Sequence, residues 1–325
     1  MAISILIAGA AIAAVGCGGS GSGESPSGSG TAGGAAATKV KLALNWVPEP
    51  EFGGFYAARE EGSFAKQGLD VEIMPGGAGV PVVQMVAGGQ ADFGISGADE
   101  ILTARSRGAD VVGVFAIYQK APQGIMARPE KTSMADVFAS GTVALEPGLA
   151  YAQFLKKKYG FDKVKIVPYD GGVARFLSEK DYSQQCFATS EPLAARRKGV
   201  DPKVFLVADE GFNPYQGVVI VKKSTWESKP DLVKRFVAAA REGWQKYQDD
   251  PSKANAVMAK LNTAMDAETF AEAAKAQRDL VATDETKANG LGSMTKERWE
   301  TLAKQLVELG QLEKEPNAGE AFVKP

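Results

Sequence analysis

The residues best equipped for chemistry sit together early in the chain, in "KLALNWVPEPEFGGFYAAREEG". An apolar run stops at Asn45-Trp46, two prolines follow, and Gly53-Gly54 opens a helical pattern. An amide beside an indole suits recognition: Asn45 can donate and accept at one edge, and Trp46 offers a flat apolar wall. Bond-breaking chemistry is poorly supplied elsewhere. There is no histidine, which removes Ser-His and Cys-His catalysis, HExxH metal sites and most zinc sites. Carboxylate or lysine catalysis stays open on residue types alone, but the expectation is a protein that is not an enzyme, with no metal and no cofactor. Cys186 has no partner cysteine in a mature chain and reads as a small buried thiol.

The elements that must position the pair alternate. "KVKLALNW", "LDVEIMPG", "ADFGISG" and "DVVGVFAIY" read as strands, separated by the helical patterns "EFGGFYAAREEGSFAKQG", "PVVQMVAGG" and "DEILTARSRG". A second series runs through "QGIMARP", "TVALEPG", "KVKIVPYDG", "QQCFAT" and "KVFLVAD", with helices at "LAYAQFLKKKYG", near "GVARFLSEKD" and at "EPLAARRKG". Such alternation predicts an α/β protein with mostly parallel sheets. After "GVVIVKK" the chain turns helical, and Leu232, Val233, Phe236, Val237, Ala240 and Trp244 form one apolar stripe. Two further helices fit "AETFAEAAKAQRDLV" and "TKERWETLAKQLVELG", the latter opened by Thr295.

At 325 residues, 45% hydrophobic and 23% charged, the chain has room for two lobes. We expect 39–119 and 216–325 to form lobe I and 120–215 to form lobe II. The net charge of -2 gives no electrostatic footprint for nucleic acid. Residues 1–17 read as a secretory leader: an apolar segment ends in Ala14-Val15-Gly16-Cys17, which resembles a bacterial lipoprotein cleavage box with lipidation at Cys17. Ala14 stands where leucine is usual, and no Lys or Arg precedes the apolar run, which leaves room for a start further upstream. The Gly/Ser-rich stretch 18–38 reads as a flexible tether.

Ligands of open α/β sheets sit beyond the carboxyl ends of strands. Asn45-Trp46, Ser96-Gly97, Tyr118, Glu146 and Thr189-Ser190-Glu191 all fall at such ends, so the indole is expected to face a crevice between lobes.

"LNWVPEPEFGGFYAAREEGSFAKQGLDVEI", "VQMVAGGQADFGIS" and "SEPLAARRKG" resemble the solute-binding proteins of ABC importers that carry thiamine pyrimidine precursors, over about 39–242. The resemblance implies a type II periplasmic binding protein of two α/β lobes closing on a ligand, working as a monomer with an ABC permease and held to a membrane by lipid. Relatives of this fold take riboflavin, sulfonates or nitrate. The precursor-binding relatives usually continue W-x-P-N with a histidine before the helix; here those places hold Glu49 and Phe52. Fungal relatives that synthesise the pyrimidine need a histidine and a cysteine-rich motif, and this chain has neither.

A flat heteroaromatic ligand needs apolar walls and a few polar groups at its edge. Beside Trp46, the wall candidates are Phe52, Tyr56, Tyr118, Phe187 and Tyr215, with core packing an equal reading for Tyr56 and Phe187. Asn45 also suits the turn before Pro48. Amides at Ser96 and Gly97 can point at a ligand from a helix start, where Ser96 or Asp99 also serves as a cap. The resemblance puts Glu191 on an aminopyrimidine, while a helix-dipole role fits it as well; it also implies that Glu146 sits where relatives start the ligand-facing helix of the second lobe. Asp92 reads as structural, and "GGAGVP" as a flexible loop at the lobe edge without phosphate-loop spacing. An oxyanion would instead need a cation at the crevice, for which Lys120 and Arg175 are the candidates.

Overall fold

The computed structural model describes residues 36–325. Cys17, the leader and most of the expected tether lie outside the described residues. In chain order the strands are β1 (Thr38–Ala43), β2 (Leu69–Met74), β3 (Phe93–Ser96), β4 (Val111–Tyr118), β5 (Gln123–Ala127), β6 (Thr142–Leu145), β7 (Lys165–Pro168), β8 (Tyr182–Phe187), β9 (Lys203–Leu206) and β10 (Gln216–Lys222). They form two five-stranded sheets, ordered β2-β1-β3-β10-β4 and β7-β6-β8-β5-β9.

Each sheet differs from the parallel expectation at one strand. β10 runs antiparallel to β3 and β4, and β5 runs antiparallel to β8 and β9. These are the two strands that enter from the other sheet. β4 ends at the crevice, the chain crosses at 119–122, and β5 must then start at the crevice and run away from it. The return at 207–215 imposes the same direction on β10. The strands that point toward the crevice therefore deliver their carboxyl ends to it, and the two entering strands deliver their first residues.

The crossings are fastened to each other and to the helical tail. The Asn213 side chain accepts from the Ala121 amide at 2.8 Å and donates to the Gln119 carbonyl at 3.5 Å. Arg298 donates to the Asn213 carbonyl at 2.9 Å and lies 3.8 Å from the centre of the Tyr215 ring. Further out, Arg197 of the second sheet's side meets Asp266 at 2.8 Å and Glu268 at 3.2 Å on the tail.

The predicted apolar stripe is buried in the helix Pro230–Asp249, which covers one face of the first sheet; Phe236 stacks on Phe93 with centroids 3.8 Å apart. The tail holds more helices than the pattern suggested. Ser252–Leu261 is an additional one, and "AETFAEAAKAQRDLV" breaks into Ala267–Ala276 and Arg278–Val281. The break falls at Gln277, a buried amide turned inward to the carbonyl of Pro50, 2.8 Å away. Thr295 caps Lys296–Glu308 as expected. Among the described residues no helix is long and apolar enough to cross a membrane.

Gly53 and Gly54 open the helix Gly53–Glu60 where it lies against Pro230–Asp249. A Cβ on Gly54 would stand 2.2 Å from Cγ of Trp244, and one on Gly53 2.0 Å from Cζ of Tyr247. Large rings on the tail thus seat directly on bare backbone next to the Asn45–Phe52 turn. Gly54→Ala should lower unfolding free energy by about 2 kcal/mol through overpacking, read as a lower denaturant midpoint at unchanged slope.

Candidate functional site

Between the facing strand ends lies a cleft of about 530 Å³. Asn45, Trp46, Phe52, Gly97, Tyr118, Glu146, Phe187 and Glu191 all line it. Trp46 is 43% exposed and Leu149 40% exposed, and both are cleft residues, one from each sheet's loops. Leu149 was not among the sequence candidates. It follows Pro147-Gly148 after β6, and an exposed leucine at a helix start carries no signal in the sequence.

Three expected residues are elsewhere. Tyr56 is fully buried in the core beneath the Arg59 guanidinium, 5.0 Å away. Tyr215 is buried at the second crossing, where its hydroxyl accepts from the Thr295 amide at 3.0 Å. Ser96 is buried and donates to Glu100 at 2.6 Å, so its hydroxyl serves the helix Ala98–Ser106 rather than the cleft. The oxyanion candidates are also occupied outside the cleft: Lys120 pairs with Asp209 at 2.6 Å and Arg175 with Glu179 at 2.9 Å.

The walls are built from both sheets. Tyr118 is buried at the end of β4, with its hydroxyl donated to Gln277 at 2.8 Å, and Phe187 meets it edge-on at 6.0 Å. Tyr169, after β7, donates to Glu191 at 2.7 Å. The loop "GGAGVP" contributes more than an edge: Gly76 donates to the Trp46 carbonyl at 3.0 Å, and a Cβ there would stand 2.1 Å from the Leu44 carbonyl oxygen. Only glycine lets this loop press on the Asn45-Trp46 backbone, and Ala78 and Gly79 then line the cleft.

The residues that sequence reasoning missed are mainly acids and amides. Glu49, Glu51, Asp99 and Glu100 line the cleft with Glu146 and Glu191, and among the described residues no Lys or Arg does. Glu49 and Glu51 ride on the 48–52 turn, which the tail holds in place. Asn262 donates to the Pro48 carbonyl at 3.2 Å and Gln277 to that of Pro50 at 2.8 Å. Gln123 and Gln216, the first residues of β5 and β10, also line the cleft. A rule that looks only at carboxyl ends of parallel strands passes over them.

Partners for these acids are neutral. Glu191 accepts from Tyr169 and, at 2.7 Å, from the Phe187 amide, so its helix-start role and its place in the cleft coexist. Glu146 accepts from Gln185 at 2.7 Å, and Glu51 makes no hydrogen bond with any described residue. Burial, then the nearby Glu191, pushes Glu49 up to about 7, against the pull of the Trp46 and Asn262 side chains. Glu51 is raised by burial and by Glu49 and Glu191. Glu191 is raised by burial, which outweighs its hydrogen bonds. Asp99 is pushed up to about 6 by burial and Glu100. The Cys186 thiol is raised by burial and Glu191, which makes it a poor nucleophile. Nothing here pairs a nucleophile with a base, and the described residues hold no cluster of three or more potential metal ligands.

A family described as NMT1/THI5 like matches residues 49–254. The chain belongs to that family. Over 293 residues it is 22% identical to the formylaminopyrimidine-binding protein of Halalkalibacterium halodurans, covering 87% of this chain and 89% of that one. It is 25% identical over 233 residues to the riboflavin-binding protein RibY of Chloroflexus aurantiacus, covering 66% and 64%. The periplasmic aliphatic sulphonate binding protein of Escherichia coli superposes with a TM-score of 0.67 at 15% identity, covering 88% of this chain and 92% of the other. The NMT1/THI5-like chain thus has the type II periplasmic binding protein fold, with a helical C-terminal region.

The raised carboxyls fix a direction for stability. A carboxyl with a native pKa above its unfolded value binds more protons folded than unfolded between the two values, so stability is lost as pH rises across that window. For Glu49 the window runs from 4.5 to about 7. The ligand-free melting temperature should therefore fall from about pH 4.5 to about pH 7, and Glu49→Gln should flatten that decline in a thermal scan across buffers.

Proposed function

We propose that the protein is an extracytoplasmic solute-binding protein of an ABC importer, and that the cleft holds a small flat heteroaromatic nutrient of the thiamine pyrimidine-precursor type. The observation that carries this reading is a two-sided cleft with the Trp46 indole open at its mouth, aromatic walls at Phe52, Tyr118 and Phe187, and polar edges at Asn45 and Glu191. Each ring-on-ring contact contributes roughly 0.5–1.5 kcal/mol beyond area burial, and a hydrogen bond to a charged carboxylate about 1.5–3 kcal/mol. Two stacks and one such bond make a scavenging affinity without a metal. The formylaminopyrimidine-binding relative, aligned over most of both chains, supports the same cargo class.

A sulfonate or nitrate is disfavoured at this cleft by its own lining. Six carboxylates and no Lys or Arg among the described residues repel an anion, and Lys120 and Arg175 are paired elsewhere. A riboflavin-like ring is the second reading, favoured by a volume of about 530 Å³, which exceeds the needs of a single pyrimidine. A synthase reading has no support in the residues of the cleft. The bound solute would pass to a membrane permease, the protein acting as a monomer tethered through a lipid on Cys17.

A thermal-shift panel tests the cargo. Hydroxymethylpyrimidine or its formylamino precursor should raise the melting temperature, riboflavin should do so under the second reading, and taurine and nitrate should not; stabilisation by an oxyanion alone overturns the reading. Trp46→Ala should weaken binding of the stabilising ring about tenfold in calorimetry, while shifting unfolding free energy by no more than about 0.5 kcal/mol because the residue lies outside the buried core, 43% exposed. Cys17→Ala in a bacterial host should move the protein from the membrane fraction to the soluble fraction; an unchanged distribution removes the lipid anchor.

A further inference from the structure

The acids of the cleft have no countercharge. Glu49 and Glu51 from the 48–52 turn line the same cleft as Glu191 from the other sheet's side, where, beyond burial, Glu191 raises Glu49, and Glu49 and Glu191 together raise Glu51. Glu51 finds no hydrogen-bond donor among the described residues, and Oδ1 of Asn45 beside it in the lining is buried without a partner. An unpaired carboxylate in a partly desolvated site is expensive, and removing the partner of such a charge is among the larger single losses in proteins. The missing partner is therefore more economically supplied by what enters the cleft. The faces of Trp46, Tyr118 and Phe187 in the same lining carry the negative side of an aromatic quadrupole, which attracts a cation as well as it stacks a ring.

We propose that the cleft selects a positively charged nitrogen heterocycle of the aminopyridinium class, with its charge among Glu49, Glu51 and Glu191. This rests on the cleft being a heteroaromatic site and adds that its cargo binds as a cation. From the first sheet's side, Asp99, Glu100 and Tyr118 also face the cleft. From the second come Glu146, Tyr151, Tyr169 and Cys186. The tyrosines and the thiol have raised pKa values and stay neutral near pH 7, which leaves the raised carboxyls of Glu49, Glu51 and Glu191 as the proton-exchanging groups. A cation requires them ionised, and binding then releases protons. Its affinity must rise with pH, whereas a neutral ring accepting a hydrogen bond from a protonated carboxyl would bind less well as pH rises.

Two probes of nearly one shape separate the cases. 4-Aminopyridine is a cation across neutral pH, and 4-aminopyrimidine, with one more ring nitrogen, is neutral there. In calorimetry from about pH 5.5 to about pH 8, the aminopyridinium should gain about tenfold or more in affinity and bind about tenfold tighter than aminopyrimidine at the upper end. Glu51→Gln should remove most of that preference, lowering the affinity of the aminopyridinium several-fold more than that of aminopyrimidine. If aminopyrimidine or riboflavin binds and the cation binds no tighter, or if the cation's affinity is flat or falls with pH, the charge inference is overturned and the heteroaromatic site stands. If no ring binds and taurine does, the site reading falls with it.

Discussion

Three carboxyl groups held near one another without a cation set the terms for the rest of this molecule. Glu49, Glu51 and Glu191 repel one another, and burial raises the protonated fraction of each. The tail holds the 48–52 turn: Asn262 and Gln277 clamp the turn's carbonyls, and Trp244 and Tyr247 seat on Gly54 and Gly53 immediately behind it. The long helical region after the second sheet is thus the support behind the turn that carries Glu49 and Glu51.

The two crossings determine what else reaches the cleft. Because the chain leaves one sheet at the crevice and enters the next there, each sheet acquires one antiparallel strand whose first residue points to the ligand space. Gln123 and Gln216 are placed by that rule. Asn213 ties the outgoing and returning segments together, and Arg298 fixes the second to the tail. The Arg197 clasp onto Asp266 and Glu268 joins the far end of the helix that Glu191 begins to a helix of the tail.

The same fold serves the sulphonate-binding protein of Escherichia coli, yet this cleft is lined by acids. Fold and cargo are separable because strand ends supply positions, and the side chains placed there supply charge. Membership of the NMT1/THI5-like family narrows the architecture, and the side chains at the strand ends give this cleft an acidic lining of its own.

Much of this was legible in the sequence. Strand and helix alternation, the apolar stripe from Leu232 to Trp244, the Thr295 cap and the exposure of Trp46 at a strand end all follow from local periodicity and turn chemistry, which act over a few residues. For Tyr56 the sequence left core packing and a cleft wall equally open, and its burial beneath Arg59 decides for the core. Tyr215 has the right type at the right end, but only tertiary structure shows its hydroxyl engaged by Thr295, whereas Ser96 is taken locally by Glu100, in the helix-start role that the sequence also allowed. Glu49 and Glu51 looked like turn residues, and nothing local relates them to Glu191. The sequence by itself determined the elements and the aromatic mouth of the cleft. Only the folding of two sheets against a helical tail decided that distant acids would converge there, because charge proximity is a property of packing and leaves no period in the chain.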